Sequence, residues 1–132
     1  MAANNLFVVD SSFILSLLLP DEKILPLAKK NLKLLTEPEN KFFSPHLLEY
    51  EVGNGIRSAL LRKRITIDSS ERLIKNFNLL PIKKLGISID KVLSISVKKG
   101  LSFYDAAYVF LAISQNAKLL TLDKKLSSLI ER

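Results

Sequence analysis

Cysteine is absent from the 132 residues, and histidine occurs once, at His46. Without thiols there is no disulfide, no Cys-based zinc site and no thiol nucleophile, and a lone histidine excludes a histidine-rich metal centre. Chemistry, if there is any, must run on oxygen ligands and acids. Long apolar runs are missing too. The run "FILSLLLP" (Phe13 to Pro20) resembles a signal h-region only superficially, because no cationic segment precedes it, Asp10 breaks the apolar stretch and no small-residue cleavage site follows. Nothing else approaches a membrane span, so the chain reads as soluble and cytoplasmic. Repeats, low-complexity tracts and Gly/Ser linkers are also lacking; 4 glycines and 5 prolines act as local punctuation.

What is present describes a globular chain. With 48% hydrophobic and 25% charged residues it can bury roughly two thirds of the surface its unfolded form would expose, and a single domain over residues 1–132 is expected. Lysine and arginine outnumber the acids 20 to 13, for a net charge of +7. That balance favours a polyanionic partner such as nucleic acid.

Strand and helix patterns alternate along the chain. "NLFVVD" (Asn5 to Asp10) is β-rich; an apolar helix follows that Pro20 stops, then a second helix over about Lys23 to Leu35. A brief strand at "KFFS" leads to a third helix, with Ser44 as N-cap, Pro45 in the first helical position and an end near Arg64. Asp68 and Ser69 open a helix towards Leu80, "PIKKLGI" is a short strand, Asp90 caps the next helix and Gly100 ends it. "SFYDAAYVFLAI" (Ser102 to Ile113) is a buried helix, "AKLLTLD" (Ala117 to Asp123) a buried strand, and Lys124 to Ile130 a last helix. Strands separated by helices imply parallel crossovers, hence a three-layer α/β/α domain with a central parallel sheet.

Four acids stand out in this scheme. Asp10 ends the first strand, Asp123 ends the last, Asp105 lies in the first turn of the Ser102 helix, and Glu51 is about two turns into the helix from Pro45. Ligands of open α/β sheets gather at the carboxyl ends of strands. Capping explains three of them singly: Asp10 and Asp123 precede helices, and Ser102 with Asp105 fits the S-x-x-D capping box. Glu51 resists that explanation, because a mid-helix acid caps nothing. Within "LLEYEVGNGI" its face lies close to apolar positions, whereas Glu49, about 200° away, can point to solvent.

The segments "FVVDSS" with Asp10, "LLEYEVGNGI" with Glu51 in an E-V-x-N pattern ending at Asn54, "LSFYDAAYVFLA" with Asp105, and "LLTLDKKL" with Thr121 and Asp123 together resemble the PIN domain family, in particular VapC-type toxin nucleases of toxin-antitoxin pairs. They occur in the family's order over nearly the whole chain. Gly53 departs from it, standing where alanine is common, and the glycines flanking Asn54 loosen that helix by about 1 kcal/mol each relative to alanine. The resemblance implies a PIN-like fold, a metal-dependent endoribonuclease acting on RNA, a cognate antitoxin and a homodimer. It places Asp10, Glu51, Asp105 and Asp123 in the catalytic and metal-binding set, with Ser12, Asn54 and Thr121 as supporting residues.

The chemistry of such a cluster is direct. Crowded carboxylates repel, and a small hard divalent ion with oxygen ligands, Mg²⁺ or Mn²⁺, compensates them. The ion can deprotonate a water for in-line attack on a phosphodiester, so no nucleophilic side chain is needed. Thr121, two residues before Asp123, reads either as a hydrogen-bond partner of a carboxylate such as Asp10 or as an ordinary β-branched strand residue. His46 is assigned no role. Arg57 and Arg64, seven apart, share a helix face and are candidate phosphate contacts, with Arg62, Lys63, Lys98, Lys99, Lys124 and Lys125 as further clusters that dipole complementation also explains. The apolar first helices are candidates for the dimer interface or an antitoxin groove, or simply for the core. Two other readings compete: a solitary PIN nuclease of RNA processing or decay, and a non-catalytic signalling or protein-interaction module. A receiver module wants an acidic pair after its first strand, and here Ser11 and Ser12 follow Asp10.

Overall fold

The computed structural model describes residues 5–19 and 25–130. Its elements are β1 (Leu6–Val9), α1 (Ser11–Leu18), α2 (Leu25–Thr36), β2 (Lys41–Pro45), α3 (Leu47–Leu61), α4 (Ile67–Leu79), β3 (Ile82–Leu85), α5 (Ile89–Lys99), α6 (Phe103–Ser114), β4 (Lys118–Leu120) and α7 (Lys124–Ile130). All pairings are parallel and the strand order is β3-β2-β1-β4. Parallel neighbours need crossovers, which place helices on both faces and give the three-layer α/β/α arrangement.

The twofold alternation of β1 divides the core. Phe7 and Val9 turn towards α1 and α3, where they meet Phe13, Ile14, Val52 and Ile56. Val8 turns the other way, to Tyr108, Leu111 and Ala112 of α6. Phe7 sits opposite Phe42 in register and their rings stack with centroids 5.4 Å apart. Val92, Ala106, Val109 and Leu126 extend the second face through α5, α6 and α7. Because β1 is covered on both faces, it reads as a continuous apolar run rather than an alternating one. Its neighbours then place the site: β2 and β3 lie to one side and β4 to the other. The chain changes direction across β1, so a crevice opens where the carboxyl ends of β1 and β4 meet. There the Asp10 amide donates to the Leu120 carbonyl at 3.3 Å.

Several local signals resolve differently from the sequence expectation. Ser44 and Pro45 do not open a helix. β2 runs through Pro45, paired with Leu85, and α3 starts at Leu47 with His46 in the N-cap position and no side-chain cap. Strand pairing outweighs the local capping signal, and a proline at the last strand residue disturbs the ladder little. Ser44 is fully buried instead, and its Oγ has no hydrogen-bond partner among the described residues.

The third helix ends at Leu61, not near Arg64. Lys63 adopts φ 58, its amide donating to the Leu60 carbonyl at 3.0 Å, and the Arg64 amide donates to that of Ala59 at 2.9 Å, the paired bonds of a Schellman stop. Arg64 therefore lies outside the helix and does not share its face with Arg57. Thr66, not Asp68, caps α4 by accepting from the Ser69 amide at 3.2 Å. Ser88 occupies the N-cap of α5, which leaves Asp90 in the first turn, where its charge complements the dipole. Gly100 does end α5, at φ 65, a conformation glycine adopts without strain. β4 closes at Leu120, so Thr121 and Asp123 lie just past the strand. The stop at Pro20 and the helix start at Lys23 fall outside the described residues.

Candidate active site

Asp10 is 5% exposed at the end of β1, and both carboxylate oxygens are engaged. Oδ1 accepts from the Phe13 amide at 3.0 Å, capping α1, and from the Ser12 hydroxyl at 2.7 Å. Oδ2 accepts from the Thr121 hydroxyl across the crevice. Ser12 Oγ accepts in turn from the Leu122 amide at 2.9 Å and lies 3.3 Å from Thr121 Oγ1, while Thr121 accepts from the Asp123 amide at 2.9 Å. Two hydroxyls thus stitch the loop after β4 to the end of β1 and lock the Asp10 rotamer. Capping and site-building are the same arrangement here: the carboxylate that caps α1 is the one Ser12 and Thr121 hold at the strand end.

Glu51 comes from α3. That helix buries Leu48, Val52, Ile56 and Ala59 at helical spacing, which leaves Glu51 half-buried beside the apolar stripe and Glu49 exposed. Tyr108, 1% exposed on α6, donates its hydroxyl to Glu51 Oε1 at 2.5 Å. Burial raises the Glu51 pKa above its ordinary value; the charges of Asp105 and Asp10 push the same way, and hydrogen bonds from Tyr108 and Ser11 oppose them. Burial, foremost, and the bond to Glu51 also push the Tyr108 phenol far up, so it stays a donor. Tyr108 and Ser11 were missed in the sequence. The available signal for Tyr108 was its place three residues after Asp105, on the same side of one helix.

Asp105 is partly buried in the first turn of α6, its amide donating to Ser102 Oγ at 3.0 Å. Burial raises its pKa, with Asp123 and Asp10 adding, while a hydrogen bond with Ser102 and the charge of Lys125 lower it. Asp123 is exposed and caps α7, Oδ1 accepting from the Lys125 amide at 2.8 Å and the Leu126 amide at 3.3 Å. Lys125 reaches across to the Gly100 carbonyl at 3.0 Å.

The charges of Asp105 and Asp10 thus act on Glu51, and those of Asp123 and Asp10 act on Asp105, which puts the four acids in one electrostatic neighbourhood. Among the described residues, no three His, Asp or Glu side chains are grouped as ligands of one ion. The donor set nevertheless fits a hard cation of the Mg²⁺ type. It is all oxygen and carries excess negative charge, and Mg²⁺ commonly takes one or two carboxylates and fills its remaining positions with water and substrate phosphate.

The remaining sequence candidates lie further out. Asn54 and Arg57 are exposed on α3, three and six residues beyond Glu51; Arg64 is exposed beyond the helix end, and His46 is exposed at its start.

The chain belongs to the PIN domain family, whose model matches residues 7–131. It is 31% identical over 124 residues to ribonuclease VapC3 of Pyrobaculum aerophilum, covering 91% of each chain. To VapC ribonuclease Mb0985 of Mycobacterium bovis it is 28% identical over 124 residues, covering 92% of this chain and 89% of the relative. Among solved structures, PAE2754 from Pyrobaculum aerophilum matches with a TM-score of 0.74 at 28% identity, over 98% of this chain and 81% of that one. Mycobacterium tuberculosis VapC20, a Sarcin-Ricin loop cleaving toxin, shares the fold with a TM-score of 0.67 at 15% identity, over 93% and 94% of the two chains.

Proposed function

We propose that this single PIN domain is a VapC-type toxin nuclease: an endoribonuclease of the cytoplasm that hydrolyses RNA phosphodiesters at its acidic cluster and is held inactive by a cognate antitoxin. What supports the reading is that the charges of Asp105 and Asp10 act on Glu51 and those of Asp123 and Asp10 act on Asp105, so that burial and like charge together hold the Glu51 and Asp105 carboxyls above their ordinary pKa values. Carboxylates in that condition take up either protons or a cation.

Asp10, Glu51, Asp105 and Asp123 would hold Mg²⁺ or Mn²⁺, which when bound supplies an activated water and stabilises the leaving oxygen. The chain's own residues do the positioning. Ser12 and Thr121 fix Asp10, and Tyr108 with Ser11 fixes Glu51. Asn54 and Arg57 are exposed on α3, where Arg57 offers charge to RNA phosphates; Arg64, exposed beyond the helix end, would contact the strand separately. Phe13, Ile14 and Leu18 of α1 are in the core, which leaves that helix little apolar surface to offer a partner. A homodimer is better served by α5, where Ile89, Leu93 and Val97, four residues apart, are 68%, 53% and 75% exposed.

The test is cleavage of a defined panel of single-stranded RNAs with Mg²⁺ or Mn²⁺, with EDTA, and by the Asp10→Asn variant. Cleavage with metal alone, lost in EDTA and in the variant, supports the reading; metal-independent cleavage, or full activity in Asp10→Asn, removes it.

A further inference from the structure

A small apolar pocket of about 230 Å³ lies where the starts of α3 and α6 meet the carboxyl ends of β2 and β3. Leu47, Leu85, Ile87 and Phe103 line it together with the exposed rings of Tyr104 and His46. Its position follows from helix geometry. Leu47 is four residues before Glu51 on α3, and Tyr104 is four residues before Tyr108 on α6, so each pocket residue sits about one turn, roughly 6 Å of helix, from a partner of the Glu51–Tyr108 bond. Tyr104 is also the immediate neighbour of Asp105.

An apolar slot with aromatic rings next to a cluster that handles phosphodiesters has one natural occupant. Unpaired RNA bases are planar and apolar on their faces, and proteins hold them by stacking on tyrosine, phenylalanine and histidine. A drug-sized ligand asks for a larger cavity, of about 300 Å³ or more. We propose that this pocket receives one unpaired nucleobase of the RNA strand, adjacent to the scissile phosphodiester, with Tyr104 as its stacking platform. The inference rests on the nuclease reading for the identity of the strand and adds to it the residue that holds a base. Tyr104 is 60% exposed, so it contributes little to the core and can be replaced without unfolding the domain.

The test uses two fluorescent single-stranded RNAs of one sequence, one intact and one with abasic nucleotides, each bound in EDTA and followed by anisotropy. The wild type should prefer the intact strand. Tyr104→Ala should weaken binding of the intact strand by roughly tenfold or more while leaving the abasic strand unchanged, and Tyr104→Phe should restore the preference. The same pair of strands, with the abasic nucleotides beside the cut bond, is then assayed for cleavage with Mn²⁺. A wild-type protein that binds or cuts both strands equally, or a Tyr104→Ala variant that keeps the wild-type preference, overturns the pocket. Base-selective binding that depends on Tyr104, without any metal-dependent cleavage, leaves the pocket standing and removes the nuclease reading. Cleavage without base selectivity does the reverse. Tyr104-dependent self-association with unchanged RNA binding assigns the pocket to a second copy of the chain and overturns the base site.

Discussion

Replacing Tyr108 by phenylalanine removes one atom from the centre of the site. The ring is 1% exposed and phenylalanine fills the same space, so the change isolates the hydrogen bond to Glu51 Oε1. A bond to a charged acceptor is worth about 1.5 to 3 kcal/mol, but Glu51 is only half-buried and keeps Ser11, so water replaces part of what is lost. The expected loss at pH 7.5 is about 1 to 1.5 kcal/mol, or about 3 to 6 °C in Tm for a chain of this size. Because the tyrosine bond lowers the Glu51 pKa, its removal drives that pKa further up. Below the ordinary Glu51 value of 4.5 the carboxyl is protonated in both variants and the difference in Tm should shrink. Thermal melts of both proteins at pH 7.5 and pH 4 read the first effect. The acid limb of the metal-dependent cleavage profile, displaced to higher pH in Tyr108→Phe, reads the second. Identical melts at both pH values together with superimposable cleavage profiles would refute the reasoning, and with it the role of Tyr108 in holding Glu51.

Three further outcomes follow from the same geometry. Thr121→Val removes the donor to Asp10 Oδ2 and the acceptor for the Asp123 amide, and should lower stability by about 1 to 3 kcal/mol in chemical denaturation while reducing cleavage; wild-type stability would show that the loop after β4 is not held by this hydroxyl. Asp105→Asn should leave the metal-free protein as stable or more stable, since it relieves repulsion from Asp123 and Asp10 at a carboxyl already pushed up by burial, and should weaken stabilisation by Mn²⁺; a destabilised variant with normal cleavage would leave only the capping role. The raised carboxyls of Glu51 and Asp105 bind protons more tightly in the folded chain than in the unfolded one, so their contribution to stability is fully present below the unfolded values of 4.5 and 3.8 and is lost as pH rises through the folded ones. A divalent ion that replaces the protons should therefore raise Tm more at pH 8 than at pH 5, and equal shifts at both would contradict ion binding at these acids.

The sequence exposed the parts of this molecule whose signals are local. β1 is a covered strand and reads as an unbroken apolar run; α3 carries Glu51 beside a stripe with helical period; the serine at 102 caps α6 as its spacing suggests. Most of the parts it hid depend on contacts distant in the chain. Ser44 and Pro45 look like a helix start, but pairing with β3 extends β2 through them. The stop after Leu61 relies on Lys63 in a left-handed conformation that lysine rarely adopts, so nothing in its type announces it. Tyr108 reads as one more aromatic core residue, because its role lies in a hydroxyl whose partner is 57 positions away. Thr121 was legible as a candidate only because Asp10 and Asp123 had already marked the two strand ends.

The most direct test of the account sets Glu51 against Glu49, two acids on one helix that differ in facing the crevice and facing solvent. Initial rates of cleavage of one single-stranded RNA are measured across a Mn²⁺ titration for wild type, Glu51→Gln and Glu49→Gln. The expected result is that Glu51→Gln is inactive at every metal concentration while Glu49→Gln follows the wild-type curve. Equal loss in both variants, or wild-type rates in Glu51→Gln, would contradict the claim that this cluster of carboxylates carries the reaction.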